Sequence, residues 1–218
     1  MSRFLSFLLF HLMFLTLSFA QTAQEHYARG EKQMAYDKLL LELQKLQPNE
    51  ILFRVKLQMA NEIFSTTKDL KWESLIKIYE AAMENAKTYG LDKKLAAEIN
   101  SLKVASKKSW TPKQAADLVG PGMTPETVLG LSLYLEKKTL DEPDNAEWFY
   151  LAGKLLEDNR RDGAKFLEAY LEKFSISDKT KAKKAFDLLT THYALSYLGE
   201  PVPSEIQKKL AELKKKIK

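Results

Sequence analysis

The chain contains no cysteine. That excludes thiol nucleophiles, thiolate metal sites, disulfide staples and a lipid anchor on a cysteine after a leader. Histidine is nearly as scarce. Of the three, His11 falls in the apolar amino-terminal run, leaving His26 and His192, so a metal site would have to be built largely from carboxylates. His192 sits within an apolar helical stripe and reads as a packed helix histidine, while His26 is expected near the surface. No Asn-x-Ser/Thr acceptor follows residue 20. Runs of alternating β-branched residues bounded by turns are also missing, which leaves no convincing strand. With 45% hydrophobic and 29% charged residues, the composition is neither that of a disordered chain nor that of a fibre.

Long apolar stretches are confined to the start of the chain. Arg3 precedes a largely apolar run from Phe4 to Ala20, with Ser18 and Ala20 at the small positions before Gln21. This pattern predicts a secretory signal peptide over residues 1–20, cleaved after Ala20, and places the protein in the periplasm or outside the cell. An uncleaved anchor is the rival reading, but the run is short for a bilayer span. The remaining chain is long enough to bury a core without staples.

Charge of one sign is scarce except at the very end. The net charge is +5, and removal of Arg3 leaves about +4. Residues 204–218 hold six lysines against Glu205 and Glu212, so the excess lies entirely there and the rest is neutral. A basic terminal segment is no argument that the fold binds nucleic acid.

Helical signals recur along the rest of the chain. Gly30 divides the first helical stretch into two pieces, and Pro48 ends it. Glu50 to Phe64 follows, with Ile51, Val55, Met59 and Ile63 as an apolar surface. Asp69 is a candidate cap for a helix from Leu70 to Tyr89, closed by Gly90 with Leu91. A further helix runs from Asp92 to about Ser106. Thr111-Pro112-Lys113-Gln114 makes a capping box, Thr124-Pro125 repeats the start signal, and Ser177 or Asp178 caps a helix to Leu198. Ser204-Glu205-Ile206-Gln207 opens the last helix. The composition shift near residues 107–123 is the plausible internal boundary, either a joint within one layer or a border between two domains.

The most regular stretch is Asp144 to Phe174. Trp148, Leu151, Ala152, Leu155 and Leu156 draw one apolar stripe, and Ala164, Leu167, Leu171 and Phe174 draw another. Between them Asp158-Asn159-Arg160-Arg161-Asp162-Gly163 must reverse the chain. The result is an αα-hairpin that needs neighbours of its own kind to bury both stripes. Trp148, Leu151, Ala152 or Gly153, and Leu155, followed by Ala164, Leu167 and Tyr170, resemble a tetratricopeptide-type repeat over about thirty residues. The closing proline of that family is replaced by Ser175-Ile176-Ser177. A poorer match runs from Tyr27 through Gly30, Leu40 and Leu43 to Pro48, with no clean 34-residue period between. The resemblance implies an all-α fold, antiparallel hairpins stacked as a short solenoid over residues 21–203, and a concave face that holds a protein or peptide.

Motifs for chemistry fail when read residue by residue. Asp158-x-Arg160-x-Asp162-Gly163 has Arg where a calcium loop needs Asp or Asn, and Ala169 where it needs Glu. Gly120-Pro121-Gly122 lacks a preceding strand, and Pro121 has no N–H to offer a phosphate. Ser65-x-x-Lys68 and Ser74-x-x-Lys77 have no companion motif. The sequence therefore predicts a binding scaffold without catalysis or cofactor, with Trp110, Tyr150, Arg160 and Arg161 as candidate partner contacts. An all-helical hydrolase using carboxylates is the alternative furthest from that reading. The last fifteen residues offer another: Ile206, Leu210, Leu213 and Ile217 form one apolar side of a helix, with Lys208, Lys209, Lys214, Lys215, Lys216 and Lys218 around the remainder. Such a helix either caps the stack or lies on an anionic membrane surface.

Overall fold

The computed structural model describes residues 22–120, 123–155, 160–198 and 200–217. The expected signal segment lies outside these residues, and so does the turn at Asp158 and Asn159. Among the described residues the fold is all-α, with no strand. Contacts divide the chain into two compact units at Leu95/Ala96, a point inside one helix and upstream of the composition shift at residues 107–123.

The first unit contains α1 (Ala23–Ala28), α2 (Lys32–Leu43), α3 (Glu50–Thr66), α4 (Trp72–Ala81), α5 (Met83–Thr88) and the start of α6 (Asp92–Ser106). A reciprocal box starts α1: the Glu25 amide donates to Thr22 Oγ1 and the Thr22 amide donates to Glu25 Oε2. Gly30 and Gly90 end their helices at positive φ, 76° and 69°. Past each, the next residue donates back, Glu31 to His26 and Leu91 to Ala86, as a left-handed residue at a helix end allows.

Helix α2 packs on α1, α3 and α4 and buries Ala35, Tyr36, Leu39 and Leu43. Helix α3 corrects the sequence reading. Its buried side is Phe53, Leu57, Ala60, Ile63 and Phe64, whereas Ile51 and Val55 are 75% and 41% exposed. Ile63 of the expected surface is buried, but the buried side centres on Phe53 and Leu57, two residues and about half a helical turn out of phase with Ile51 and Val55, and it carries the large aromatic rings. Asp69 does not cap α4; the cap position belongs to Lys71, which makes no side-chain cap bond.

A buried polar latch closes this unit. Asn85, 1% exposed, accepts from the Gln47 amide at 2.6 Å and donates to the carbonyls of Leu43 and Lys45 at 2.8 and 3.0 Å. Tyr89 donates its hydroxyl to the Gln47 carbonyl at 2.5 Å. These groups satisfy the end of α2 and the chain leaving it, where helix carbonyls have no partner of their own.

The second unit holds the rest of α6, then α7 (Pro112–Leu118), α8 (Pro125–Asp141), α9 (Ala146–Lys154), α10 (Arg160–Phe174), α11 (Lys179–Ser196) and α12 (Ser204–Ile217). The capping box at Thr111 forms as its sequence dictates, with Gln114 as the reciprocal residue. Helix α8 is covered on most sides: Leu131, Leu133, Tyr134, Leu135, Lys137 and Thr139 are all buried. The hairpin expected over residues 144–174 is α9 and α10. The two helices approach closely at Gly153, where a Cβ would lie 2.4 Å from Leu167 Cγ. Helix α11, capped by Asp178 through the Lys181 amide, packs on α10 and also touches α9. Phe149, Leu167, Tyr170, Leu171, Ala185 and Leu189 belong to the core they share.

Candidate functional site

Side chains from several elements of the second unit converge where α8 turns into α9. Trp110, half-buried before α7, meets Tyr134 of α8 edge-on with centroids 4.8 Å apart, and Tyr134 meets Trp148 of α9 at 6.1 Å. The Tyr134 hydroxyl donates to the Trp110 carbonyl at 3.1 Å, and burial pushes its phenol pKa up. Glu142 gathers the polar ends of this ladder. Its carboxylate accepts from Trp148 Nε1 at 2.6 Å, Lys138 Nζ at 2.7 Å and Asn145 Nδ2 at 3.0 Å. The bond from Lys138, followed by that from Trp148, pulls its pKa down to about 2. Lys138 Nζ also stands 5.8 Å from the centroids of both Tyr134 and Trp148. Asn145 then caps α9 by accepting from the Glu147 amide.

One turn further along α9, Tyr150 is half-buried, with its ring centroid 5.6 Å from that of Tyr170 and Lys181 Nζ of α11 standing 5.0 Å over it. Lys181 is itself paired with Glu147. Burial pushes the Tyr170 phenol up to about 12. The surface beside this cluster is a shallow, open dent lined by Asp141–Glu147.

Of the partner contacts expected from sequence, Trp110 and Tyr150 therefore lie in neighbouring parts of the same unit, both engaged with ordered aromatic rings. Arg160 and Arg161 begin α10, and their side chains lie outside the described part. The sequence reading missed Tyr134, Lys138, Glu142 and Lys181. Two signals were available: Lys138 and Glu142 are an i,i+4 pair, and a buried indole N–H needs an acceptor within reach.

The lysine-rich end divides into two faces. Leu213 is 2% exposed and joins the core of α10 and α11, with Leu210 and Ile217 packed against it. Lys209 turns to α10, with Nζ 2.7 Å from Glu168 and 3.6 Å from Glu172, and Glu168 also accepts from the Tyr193 hydroxyl at 2.5 Å. Lys208, Lys214, Lys215 and Lys216 are exposed, and Lys218 lies outside the described residues.

The two described histidines are both buried. His192 is 6% exposed on α11, in keeping with a packed residue. His26 is not at the surface as expected: it is 3% exposed, with Nδ1 2.6 Å from Glu31 Oε2, because the turn at Gly30 folds Glu31 back onto α1. Among the described residues no group of three or more His, Asp or Glu could hold a metal ion. No family model, no curated protein and no solved structure matches the chain.

Proposed function

We propose that this protein is a secreted or periplasmic interaction scaffold of the tetratricopeptide-like kind, built to hold a protein or peptide and carrying no catalytic group or cofactor. The observation that carries this reading is the α9–α10 hairpin. Its small residue Gly153 meets Leu167, Trp148 and Leu151 are buried on one helix and Ala164, Leu167 and Tyr170 on the other, and α11 packs on α10 and touches α9. Successive helices each covering the stripe of the last is how a solenoid buries its core, and its concave face remains for recognition. Half-buried aromatics held rigidly, such as Trp110 and Tyr150, give contact area at small entropic cost.

A carboxylate hydrolase would need an acid with a raised pKa facing a second acid. Glu142 is drawn the opposite way, which favours the scaffold. The alternative of an envelope protein attached through its basic end keeps one support, the exposed lysines of α12.

The scaffold reading is tested by crosslinking capture from the cell envelope with the processed protein and with a Trp110→Ala/Tyr150→Ser variant of unchanged helicity. One defined partner, retained by the former and lost by the latter, is the expected result. A monodisperse protein that captures nothing, or equal capture by both, refutes it.

A further inference from the structure

Residues 204–218 carry most of the chain's excess charge, six lysines against two glutamates, yet the apolar side of their helix is already occupied. Leu213 is in the core, Leu210 and Ile217 pack against it, and Lys209 is held by Glu168 and Glu172. On a helical projection Lys208 and Lys215, seven residues apart, lie in line opposite Leu213, with Lys214 and Lys216 to either side. All four are exposed, and two exposed acids, Glu205 and Glu212, seven residues apart, lie in line between Lys208 and Lys216. We propose that this lysine face docks the folded protein onto an anionic phospholipid bilayer by charge alone, without insertion, while the opposite face of the same helix remains a structural part of the second unit. The inference rests on the reading in which the basic end attaches the protein to the envelope. It differs in mechanism from an amphipathic helix that buries its oily side in lipid, because freeing Leu213 for lipid would open the core.

Charge complementarity sets the partner. Four solvated amines on a rigid face match a surface of many monovalent phosphates, whereas no Trp or Phe is present on the helix to seat among acyl chains. Each lysine near such a surface strengthens binding about fivefold. Binding should also fall steeply with salt, since the Debye length shrinks from about 10 Å at 0.1 M to about 3 Å at 1 M.

The test is flotation of the processed protein with vesicles of equal parts phosphatidylglycerol and phosphatidylcholine, beside phosphatidylcholine alone, together with a monolayer penetration measurement. The expected result is low-salt binding to the anionic vesicles only, without penetration. It should weaken roughly 600-fold in a Lys208→Gln/Lys214→Gln/Lys215→Gln/Lys216→Gln variant of unchanged helicity, and strengthen in Glu212→Gln. Binding that the lysine variant leaves unchanged, or capture of soluble heparin with none of vesicles, overturns both this inference and the attachment reading. Binding that needs the lysines but penetrates the monolayer or survives high salt leaves the attachment reading standing and overturns the inference.

Discussion

Replacing Asn85 by alanine tests whether the first unit depends on its buried latch. The side chain is 1% exposed and makes three hydrogen bonds, from Gln47 N and to the carbonyls of Leu43 and Lys45. Each contributes about 1 kcal/mol net. The Lys45 carbonyl keeps a second donor in Gln47 Nε2 at 2.9 Å, but the Gln47 amide is left facing a space with no acceptor, which adds about 1 kcal/mol or more. Alanine returns roughly 0.5 kcal/mol through its better helix propensity. The expected loss is therefore about 3 kcal/mol, a large share of the ~5–15 kcal/mol that holds a domain together. At a urea dependence of about 2 kcal/mol per molar, the midpoint falls by roughly 1.5 M. Peptide-resolved hydrogen exchange should place the faster exchange within residues 22–95. A loss below about 1 kcal/mol would refute the assignment of the latch as a stabilising element.

The remaining expectations concern the second unit. Gly153→Ala would gain about 1 kcal/mol in an open helix, but a Cβ 2.4 Å from Leu167 Cγ should force α9 and α10 apart at a cost of about 1–3 kcal/mol; a thermal melt that shows a gain sinks the close approach. Glu142 has a folded pKa of about 2, below its ordinary value of 4.5, so its contribution is present above about pH 5 and lost as the pH falls toward 2. Its side chain is 40% exposed, and solvent screening reduces that contribution to about 1 kcal/mol. Acid titration of stability should be flatter in Glu142→Gln, and identical curves for the two proteins would count against the network.

Local chemistry was legible in the sequence wherever a residue acts on its own backbone. The box at Thr111, the helix start at Thr124-Pro125 and the reversal at Gly90 depend on neighbours no more than five residues away, and they form as the spacing dictates. The paired helices α9 and α10, of nine and fifteen residues, were legible for the same reason, since each stripe repeats at neighbours three or four residues apart. Phase was not legible in α3, because Ile51-Val55-Met59 and Phe53-Leu57-Ala60 are both acceptable apolar lines. Only the volume of the rings they meet selects between them, as with Phe53 against Tyr89, centroids 5.8 Å apart. His26 was misplaced because its burial comes from a turn that brings Glu31 beside it, a contact the apolar pattern does not encode.

The aromatic ladder of the second unit was harder to read for a different reason. Trp110, Tyr134 and Trp148 are far apart in sequence, and each has an ordinary local explanation as a staple or stripe residue. What ties Tyr134 and Trp148 together is Glu142, whose carboxylate sits just past the end of α8 and accepts hydrogen bonds from Lys138 on that helix and from the Trp148 indole of the next. A carboxylate satisfied by three donors and drawn down in pKa is poorly suited to donate or accept a proton in a reaction near neutral pH. It is well suited to fix the angle between two helices, and so the direction in which Trp110 and Tyr150 face solvent. The same arrangement that keeps this carboxylate ionised therefore gives the corner a defined shape, which the proposed scaffold reading requires.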